Sequence, residues 1–395
     1  MQYIKILGVA ISIAIGLMIS FIGALHANSK YEADLLHVVA LMMTPAHEIT
    51  TDMLNQFVAA YPESRTGYIM IADLFAAKAG LSTSLGQKME HADRDVVTDL
   101  RNQLSIRWSY HNVIKPARKN LTPSSLLQLS TDHDLILFMD IPASRLILYK
   151  RAGRMLHNIE SFYASIGIKG FGKSLEGDKK TPVGIYRITG FIPGNSLHEK
   201  YGPGALPLDY PNLYDRLSQN TGDGIWIHGT EPGYVNRAPL ASDGCISIAN
   251  KDFKKLISYI DGSIPTPIVI DSSPEWVSNS NISYRRARLL QAIKKWSQVV
   301  GEGEQEKYLN FYDTSFFETR LNIPEKSRTI LADFPLDAVL DLGKSNLFSY
   351  PGIDDLYVAD LQFIDTRADT FVVRQYWIEK SGKNWKIVSQ LRIPK

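Results

Sequence analysis

The chain has 395 residues, of which 45% are hydrophobic and 21% charged, ordinary values for a globular protein of two or three domains. Forty-three basic residues against 41 acidic ones give a formal net charge of +2, so the composition offers no support for a nucleic-acid partner. Cys245 is the one cysteine of the sequence. This excludes an intrachain disulfide framework and a cysteine-rich metal site.

An uncharged apolar segment follows Lys5. Residues 6–25 read ILGVAISIAIGLMISFIGAL, the pattern of an export signal, and about 20 such residues also suffice to span a bilayer. Ala27 could end a cleaved signal peptide, although Leu25 fits the small-x-small rule poorly. We therefore expect residues 1–28 to be a signal peptide or an inner-membrane signal anchor, with the remainder in the periplasm or cell envelope. Membrane contact is expected only through this segment, if it is not cleaved.

Residues 29–125 carry helical periodicity, for example at Leu35 and Val39, with a turn at Pro62, and predict a helical N-terminal region. A basic patch at residues 115–119 has no repeated aromatic residues between its charges. It is interpreted as a solvated surface rather than a nucleic-acid site.

From residue 130 to residue 272 the pattern changes to short strands separated by turn residues. The runs are LILFMDI, SRLILYKR, SFYASIG, GIYRIT, GIWIHG, CISIAN and TPIVID. They predict a compact, mostly β domain. The polar segment 271–281 predicts a linker to the next domain.

Residues 283–395 predict an α+β domain. Helical patterns at 285–300 and 304–317 precede three strand-like runs, LYVADLQFI, FVVRQYWIEK and NWKIVSQLRI. The chain as a whole is thus predicted to be multidomain: a helical region, a mostly β domain and an α+β domain.

Two of the β runs carry the candidate chemistry. Alternation places Trp226 and His228 on one face of the first strand, and Cys245 and Ser247 on one face of the second. A polar loop joins the two strands, so antiparallel pairing is expected to bring His228 and Cys245 together. An imidazole within reach of a thiol activates it as a nucleophile. Gly244 lets a substrate approach the backbone, whose N–H groups can face an oxyanion. The alternative is a buried structural cysteine beside a structural histidine.

The residues around these two side chains resemble a known signature. The strings HG at 228–229 and SDGCI at 242–246, ending at Asn250, resemble the motif of the L,D-transpeptidase catalytic domain, whose cysteine attacks peptidoglycan stem peptides. Upstream, LILFMDIPASRLILYK resembles that domain's opening hairpin, and EGDKKTPVGIY resembles its central segment. The resemblance covers about residues 130–272.

The resemblance implies a role for each motif residue. Cys245 is the nucleophile, His228 is its base, and the backbone carbonyl of Gly229 orients the imidazole. Backbone N–H groups around Gly244 and Cys245 form the oxyanion hole. The residues expected to contact the substrate are Trp226, Ser242, Asp243 and Gly244.

The sequence departs from the family pattern at two positions. Most family members carry a histidine where this chain has Asp243 and an arginine where it has Ser247. Asp243 allows two interpretations. Its side chain caps the turn before Gly244, or its charge acts near the nucleophile, where it disfavours the thiolate and attracts an acceptor ammonium.

The function implied is that of an exported peptidoglycan L,D-transpeptidase. Its cysteine takes the acyl group of a tetrapeptide stem, releases D-alanine and passes the acyl group to an amine. General base, nucleophile and oxyanion donors complete this chemistry without a metal or organic cofactor. The expected partners are stem peptides and an acceptor amine or water. Two alternatives remain: an L,D-carboxypeptidase, in which water replaces the amine, and a non-catalytic wall-binding scaffold.

The C-terminal stretch resembles a second family. KKWSQVVGEGEQEKYLNFYDTSFF and FVVRQYWIEKSGKNWKIVSQ resemble a nuclear-transport-factor-two-like domain, which packs helices against a curved sheet and also occurs beside the catalytic domain of L,D-carboxypeptidases. Its candidate pocket aromatics are Tyr308, Tyr312 and Trp377. For these three side chains simple core packing is the favoured interpretation.

Overall fold

The computed structural model describes residues 30–42, 51–80, 94–260, 265–301, 307, 310–313, 338–380 and 384–393. The predicted export segment and most of the predicted helix at 304–317 lie outside these residues. Within the described part of the chain, no helix has the length and apolar character needed to cross a membrane.

The predicted helical N-terminal region is confirmed. Its small core contains Leu35, Leu54 and Phe57, each at most 5% exposed, and the Ser64 side chain caps its third helix by accepting the Gly67 N–H at 3.1 Å. The helices are α1 (Lys30–Met42), α2 (Thr51–Ala60), α3 (Arg65–Lys78) and α4 (Arg94–Ser109), followed by a π-helical turn (Tyr110–Ile114) and a short helical turn (Lys115–Ala117). Two short strands come next, β1 (Leu121–Pro123) and β2 (Leu126–Gln128).

The predicted mostly β domain is also confirmed, and each predicted run contains a strand. The elements are β3 (Leu135–Asp140), β4 (Arg145–Ala152), β5 (Met155–Gly167), β6 (Gly184–Arg187), β7 (Ile192–Pro193), β8 (Gly204–Pro207), α5 (Leu213–Leu217), β9 (Trp226–His228), β10 (Leu240–Ser242), β11 (Ile246–Ile248), α6 (Asn250–Ile257) and β12 (Pro267–Asp271). The strand order in the sheet is β6-β12-β3-β4-β5-β11-β9-β8-β7, and β10 pairs with β5.

The expected antiparallel pairing of the two motif strands is wrong. β9 and β11 pair in parallel, with Ile246 opposite Ile227 and Ser247 opposite His228. The chain between them passes through β10, which pairs with β5 on the far side of β11. A connection of this length permits the crossover that parallel neighbours require. The isoleucines still face the core, as alternation predicts.

The C-terminal part consists of a long helix and an antiparallel sheet. The elements are β13 (Trp276–Ser278), α7 (Asn279–Gly301), β14 (Val339–Ser349), β15 (Leu356–Ile364), β16 (Thr370–Lys380) and β17 (Asn384–Ile393). Helix α7 packs against a five-stranded sheet whose order is β17-β16-β15-β14-β2.

The predicted boundaries of this part differ from the structure. The segment 271–281 contains β13, which pairs with β1, and it leads directly into α7. Strand β2 pairs with β14 although β3 to β12 lie between them in sequence. Strands β2 and β13 are each only three residues long, which is too short to show the alternation that predicts a strand from sequence.

Core packing is confirmed for Trp377, which is fully buried and packs edge-on against Trp296 at 6.3 Å between ring centroids. The Tyr312 hydroxyl donates a hydrogen bond to Gln390 Oε1 at 2.9 Å. Tyr308 lies outside the described residues.

The central strands are buried on both faces. One face of the ten-stranded sheet packs on α6, and the other packs on the C-terminal sheet through residues such as Phe138, Ile147 and Tyr376. This explains why β3 is a continuous apolar run rather than an alternating one. The ten-stranded sheet and the C-terminal sheet therefore share a hydrophobic core.

A buried ionic cluster attaches the helical region to the ten-stranded sheet. Glu32 of α1 accepts hydrogen bonds from Arg107 at 2.9 Å and from two nitrogens of Arg145 at 2.7 and 2.8 Å. None of the three side chains is more than 2% exposed. Arg107 stacks on Tyr163 and Arg145 on Tyr110, with guanidinium-to-centroid distances of 3.8 and 4.1 Å.

Candidate active site

His228 ends β9 in a fixed orientation. Its Nδ1 lies 2.6 Å from the carbonyl oxygen of Gly229. Because a carbonyl can only accept, this contact assigns the proton to Nδ1 and leaves Nε2 as the basic nitrogen. The ring of Tyr201 packs edge-on against the imidazole at 5.0 Å. The Ser247 hydroxyl also donates a hydrogen bond to the Gly229 carbonyl, at 2.9 Å. Ser247, one of the two departures from the resemblance, therefore binds the same oxygen as His228.

Cys245 immediately precedes β11. It lies two residues before Ser247, the register partner of His228, and side chains two apart in an extended segment point to the same face. The parallel pairing thus brings the cysteine and histidine to one face, as alternation predicted. The thiol is buried, with 9% of the residue exposed, and Sγ donates to the Gly224 carbonyl at 3.4 Å.

The turn before Cys245 is held by Ser242. The Ser242 hydroxyl donates to the Cys245 carbonyl at 2.6 Å and accepts the Gly244 N–H at 3.2 Å. Gly244 has φ +120, and a Cβ there would lie 2.8 Å from the Lys180 carbonyl oxygen. A side chain at this position is therefore excluded by both backbone strain and close approach.

Thr181 supports the same turn from the central segment. Its hydroxyl donates to the Gly244 carbonyl at 2.8 Å and accepts the Gly167 N–H at 2.9 Å. The Thr-Pro segment is part of the resemblance, but the resemblance implies no role for Thr181. A buried threonine has no signature of its own, because its partners lie 14 and 63 residues away.

Asp243 does not cap the turn. Its side chain is 67% exposed and its oxygens lie 3.6 Å from Lys179 Nζ and 3.7 Å from Lys200 Nζ. Ser242 makes the hydrogen bonds that the capping interpretation gave to Asp243. That interpretation is therefore wrong, and the carboxylate forms part of a charged cluster at the site.

The environment favours the neutral forms of both candidate residues. Burial, with the nearby Arg237 charge, lowers the pKa of His228 to about 4. Burial raises the pKa of Cys245, against the smaller opposing effects of the Trp226 N–H and the Lys200 charge. At neutral pH both side chains on this face are therefore uncharged, a thiol and an imidazole rather than a preformed ion pair.

The helical region reaches the loop between His228 and Cys245. The Arg237 carbonyl accepts a hydrogen bond from Gln103 of α4 at 2.5 Å. The Arg237 guanidinium donates hydrogen bonds to Glu231 and to the carbonyl of Lys200. The sequence pattern does not predict these contacts, because residues 134 positions apart leave no local pattern.

Trp226 packs against the same tyrosine as His228. Its ring lies 5.0 Å from that of Tyr201. Among the described residues, no group of three or more histidine, cysteine, aspartate or glutamate side chains could hold a metal ion.

Comparisons with known proteins agree with this geometry. Residues 134–270 match the YkuD family model, described as the L,D-transpeptidase catalytic domain. The structure resembles Bd1075 of Bdellovibrio bacteriovorus with a TM-score of 0.54 and 25% identity, covering 70% of this chain and 100% of that one. It shares its fold with the helical cell shape determining protein Pgp2 of Campylobacter jejuni, with a TM-score of 0.52 and 20% identity over 68% of this chain and 95% of that one. No curated protein matches the sequence.

Residues 134–270 thus match an L,D-transpeptidase catalytic domain.

Proposed function

We propose that the protein is a peptidoglycan L,D-transpeptidase that acts through a cysteinyl acyl-enzyme on tetrapeptide stems. The observation that carries the proposal is the hydrogen bond between His228 Nδ1 and the Gly229 carbonyl. It leaves Nε2 basic on the face that also carries Cys245. This face then carries a nucleophile, a base and the group that orients the base, the set that nucleophilic catalysis uses, with the resting thiol donating to the Gly224 carbonyl.

In the first half-reaction the thiol and imidazole act together. Because both groups are neutral at rest, Nε2 of His228 takes the thiol proton as Cys245 Sγ bonds to the carbonyl carbon of the L-centre. Collapse of the tetrahedral intermediate breaks the bond to D-alanine, whose amine takes the proton from His228. The thioester remains on Cys245, and the imidazole is neutral again.

Backbone N–H groups of Gly244 and Cys245 are the proposed oxyanion donors. The Gly244 N–H is already bound to Ser242, at a long 3.2 Å, so an oxyanion competes with a weak partner. Ser242 and Gly244 shape the turn, whereas Trp226 and Asp243 present surface to the substrate. The second half-reaction needs only a nucleophile that His228 deprotonates, so it requires no metal or organic cofactor.

The charges beside Cys245 favour hydrolysis as a second candidate outcome. Lys179 and Lys200 flank the single carboxylate of Asp243, so the local charge is positive and disfavours the ammonium form of an acceptor amine. Water is neutral and carries no such penalty. An L,D-carboxypeptidase that trims tetrapeptide to tripeptide stems is therefore the alternative product assignment.

The cellular setting follows from the same reaction. We place the protein in the periplasm or cell envelope, where stem peptides are found, with a role in cell shape like the one that the name of Pgp2 states. Residues 283–395 are proposed to form a nuclear-transport-factor-two-like domain, supported by the packing of α7 against the antiparallel sheet. Sequencing the mature N-terminus distinguishes a cleaved signal peptide from an anchor.

The test is incubation of the protein with purified disaccharide tetrapeptides, followed by mass spectrometry. A cross-linked dimer or an exchanged D-amino acid identifies transpeptidation, and a bare tripeptide identifies hydrolysis. Cys245→Ala and His228→Ala are expected to abolish both, whereas the exposed His157→Ala serves as the matched control. Full turnover by Cys245→Ala would exclude the covalent mechanism, and an inert wild-type protein would favour the scaffold alternative.

A further inference from the structure

The charged cluster beside Cys245 consists of two lysines and one carboxylate. Lys179 Nζ and Lys200 Nζ lie 3.6 and 3.7 Å from the two oxygens of Asp243. All three side chains are substantially exposed, at 55%, 44% and 67%. We refer to Lys179 and Lys200 as the lysine pair.

Three separate chain segments bring this cluster to the nucleophile. Asp243 lies two residues before Cys245, a span of at most roughly 7 Å. Lys179 adjoins Lys180, whose carbonyl lies against Gly244. Lys200 precedes Tyr201, whose ring contacts that of His228.

Backbone contacts hold both lysines in place. The Lys200 carbonyl accepts a hydrogen bond from Arg237 at 2.7 Å, and the Lys179 carbonyl accepts one from the Lys169 N–H at 3.2 Å. The lysine pair is therefore anchored through its main chain while its ammonium groups remain accessible to a ligand.

The ion pairs within the cluster are weak enough to exchange. At 3.6 and 3.7 Å, between exposed groups, they resemble surface salt bridges that contribute little stability. Two cations also face only one anion, so a positive charge remains after Asp243 is counted. A second carboxylate would complete the charge balance.

We propose that the lysine pair binds the terminal carboxylate of the residue that the enzyme expels from the donor stem. This inference rests on the proposed function, because that reaction cleaves the bond to a C-terminal residue. Such a residue carries its carboxylate within one residue length, roughly 3.5 Å, of the scissile bond. Asp243 keeps the two ammonium groups together in the empty site, and the substrate carboxylate brings the cluster to neutrality. The lysine pair thus selects stems with a free carboxyl terminus.

Kinetics with two donors test the assignment. Release of the C-terminal residue is measured for a tetrapeptide stem with a free carboxylate and for the same stem with a C-terminal amide. For the carboxylate donor, the double variant Lys179→Met/Lys200→Met is expected to lower kcat/KM roughly tenfold, mostly through KM, as expected for the loss of two partly screened charge contacts. For the amide donor it should lower kcat/KM much less, because only the small effect of the Lys200 charge on the pKa of Cys245 is lost. Lys179→Arg/Lys200→Arg should restore the preference, and the exposed Lys294→Met is the matched control.

Binding to the Cys245→Ala protein separates this inference from the proposed function. Calorimetry should show the carboxylate ligand binding more tightly than the amide, with the preference lost in the double lysine variant. Equal binding of the two ligands, or an unchanged preference without the lysine pair, would refute the inference even if wild-type turnover is normal. If no donor reacts but the lysine-dependent preference persists, the proposed reaction fails while the carboxylate site stands.

Discussion

The buried cluster around Glu32 makes a quantitative prediction about stability. Glu32→Ala removes the carboxylate that bonds both Arg107 and Arg145, leaving two guanidinium groups in a site no more than 2% exposed. Removing one partner of a buried ion pair costs about 3–5 kcal/mol, because the remaining charge is desolvated without compensation. For a domain of 150–250 residues each kcal/mol lowers the melting temperature by about 2–4 °C. We therefore expect a decrease of roughly 10 °C.

Differential scanning calorimetry measures this decrease, with limited proteolysis to show whether the helical region loosens first. Asp73→Ala is the matched control: its ion pair with Arg101 is about one-third exposed on each side, so the expected cost is at most about 1 kcal/mol. Burial opposes ionisation of Glu32, but the charges of Arg145 and Arg107 hold its pKa well below the usual value. The cluster's contribution is therefore present above the unfolded pKa and lost as the pH falls through the folded one. Equal melting temperatures for the two variants would refute the argument.

Three further predictions concern the site. Iodoacetamide should modify Cys245 increasingly from pH 7 to pH 9 without a plateau near neutrality, because burial raises the pKa of the thiol; a plateau below pH 7 would indicate a preformed thiolate. Turnover should persist down to about pH 5 and fall as His228, with a pKa of about 4, gains a proton; a loss of activity centred near pH 6.5 would contradict that assignment. Gln103→Ala, which removes one of three hydrogen bonds to the Arg237 carbonyl and leaves those from Tyr163 and Ser165, should lower kcat several-fold with an unchanged far-ultraviolet circular dichroism spectrum, whereas unchanged kcat would show that the two remaining donors suffice to hold the loop.

The local pattern of the sequence was sufficient for much of the catalytic domain. The runs that became β3, β4, β12 and the second half of β5 are mostly buried, and burial on both faces leaves little choice of structure. Period two also placed His228 and Cys245 on a common face, since alternation depends only on the extended backbone of each strand. The motif likewise identified Gly229, whose carbonyl contacts the imidazole as the resemblance implied.

The direction of β9 relative to β11 could not be read from alternation, because parallel and antiparallel partners show the same period. It depends on where the intervening chain goes, and here that chain pairs with β5. The choice between the two interpretations of Asp243, turn cap or charge, could not be made from the sequence for a similar reason. Both residue types cap turns, and only the folded geometry shows that Ser242 faces the backbone while Asp243 faces two lysines.

The sequence by itself thus determined the class of the catalytic domain, its principal strands and the identities of the candidate nucleophile and base, because these depend on periodicity and on motifs within a few residues. Tertiary structure decided the strand direction at the site, the attachment of the helical region through Glu32 and the charges around Cys245. Those features depend on contacts between separate segments of the chain, such as Lys179 with Asp243 or Glu32 with Arg145. Such contacts form only when separate segments pack together and close the loops between them, so local sequence patterns do not predict them.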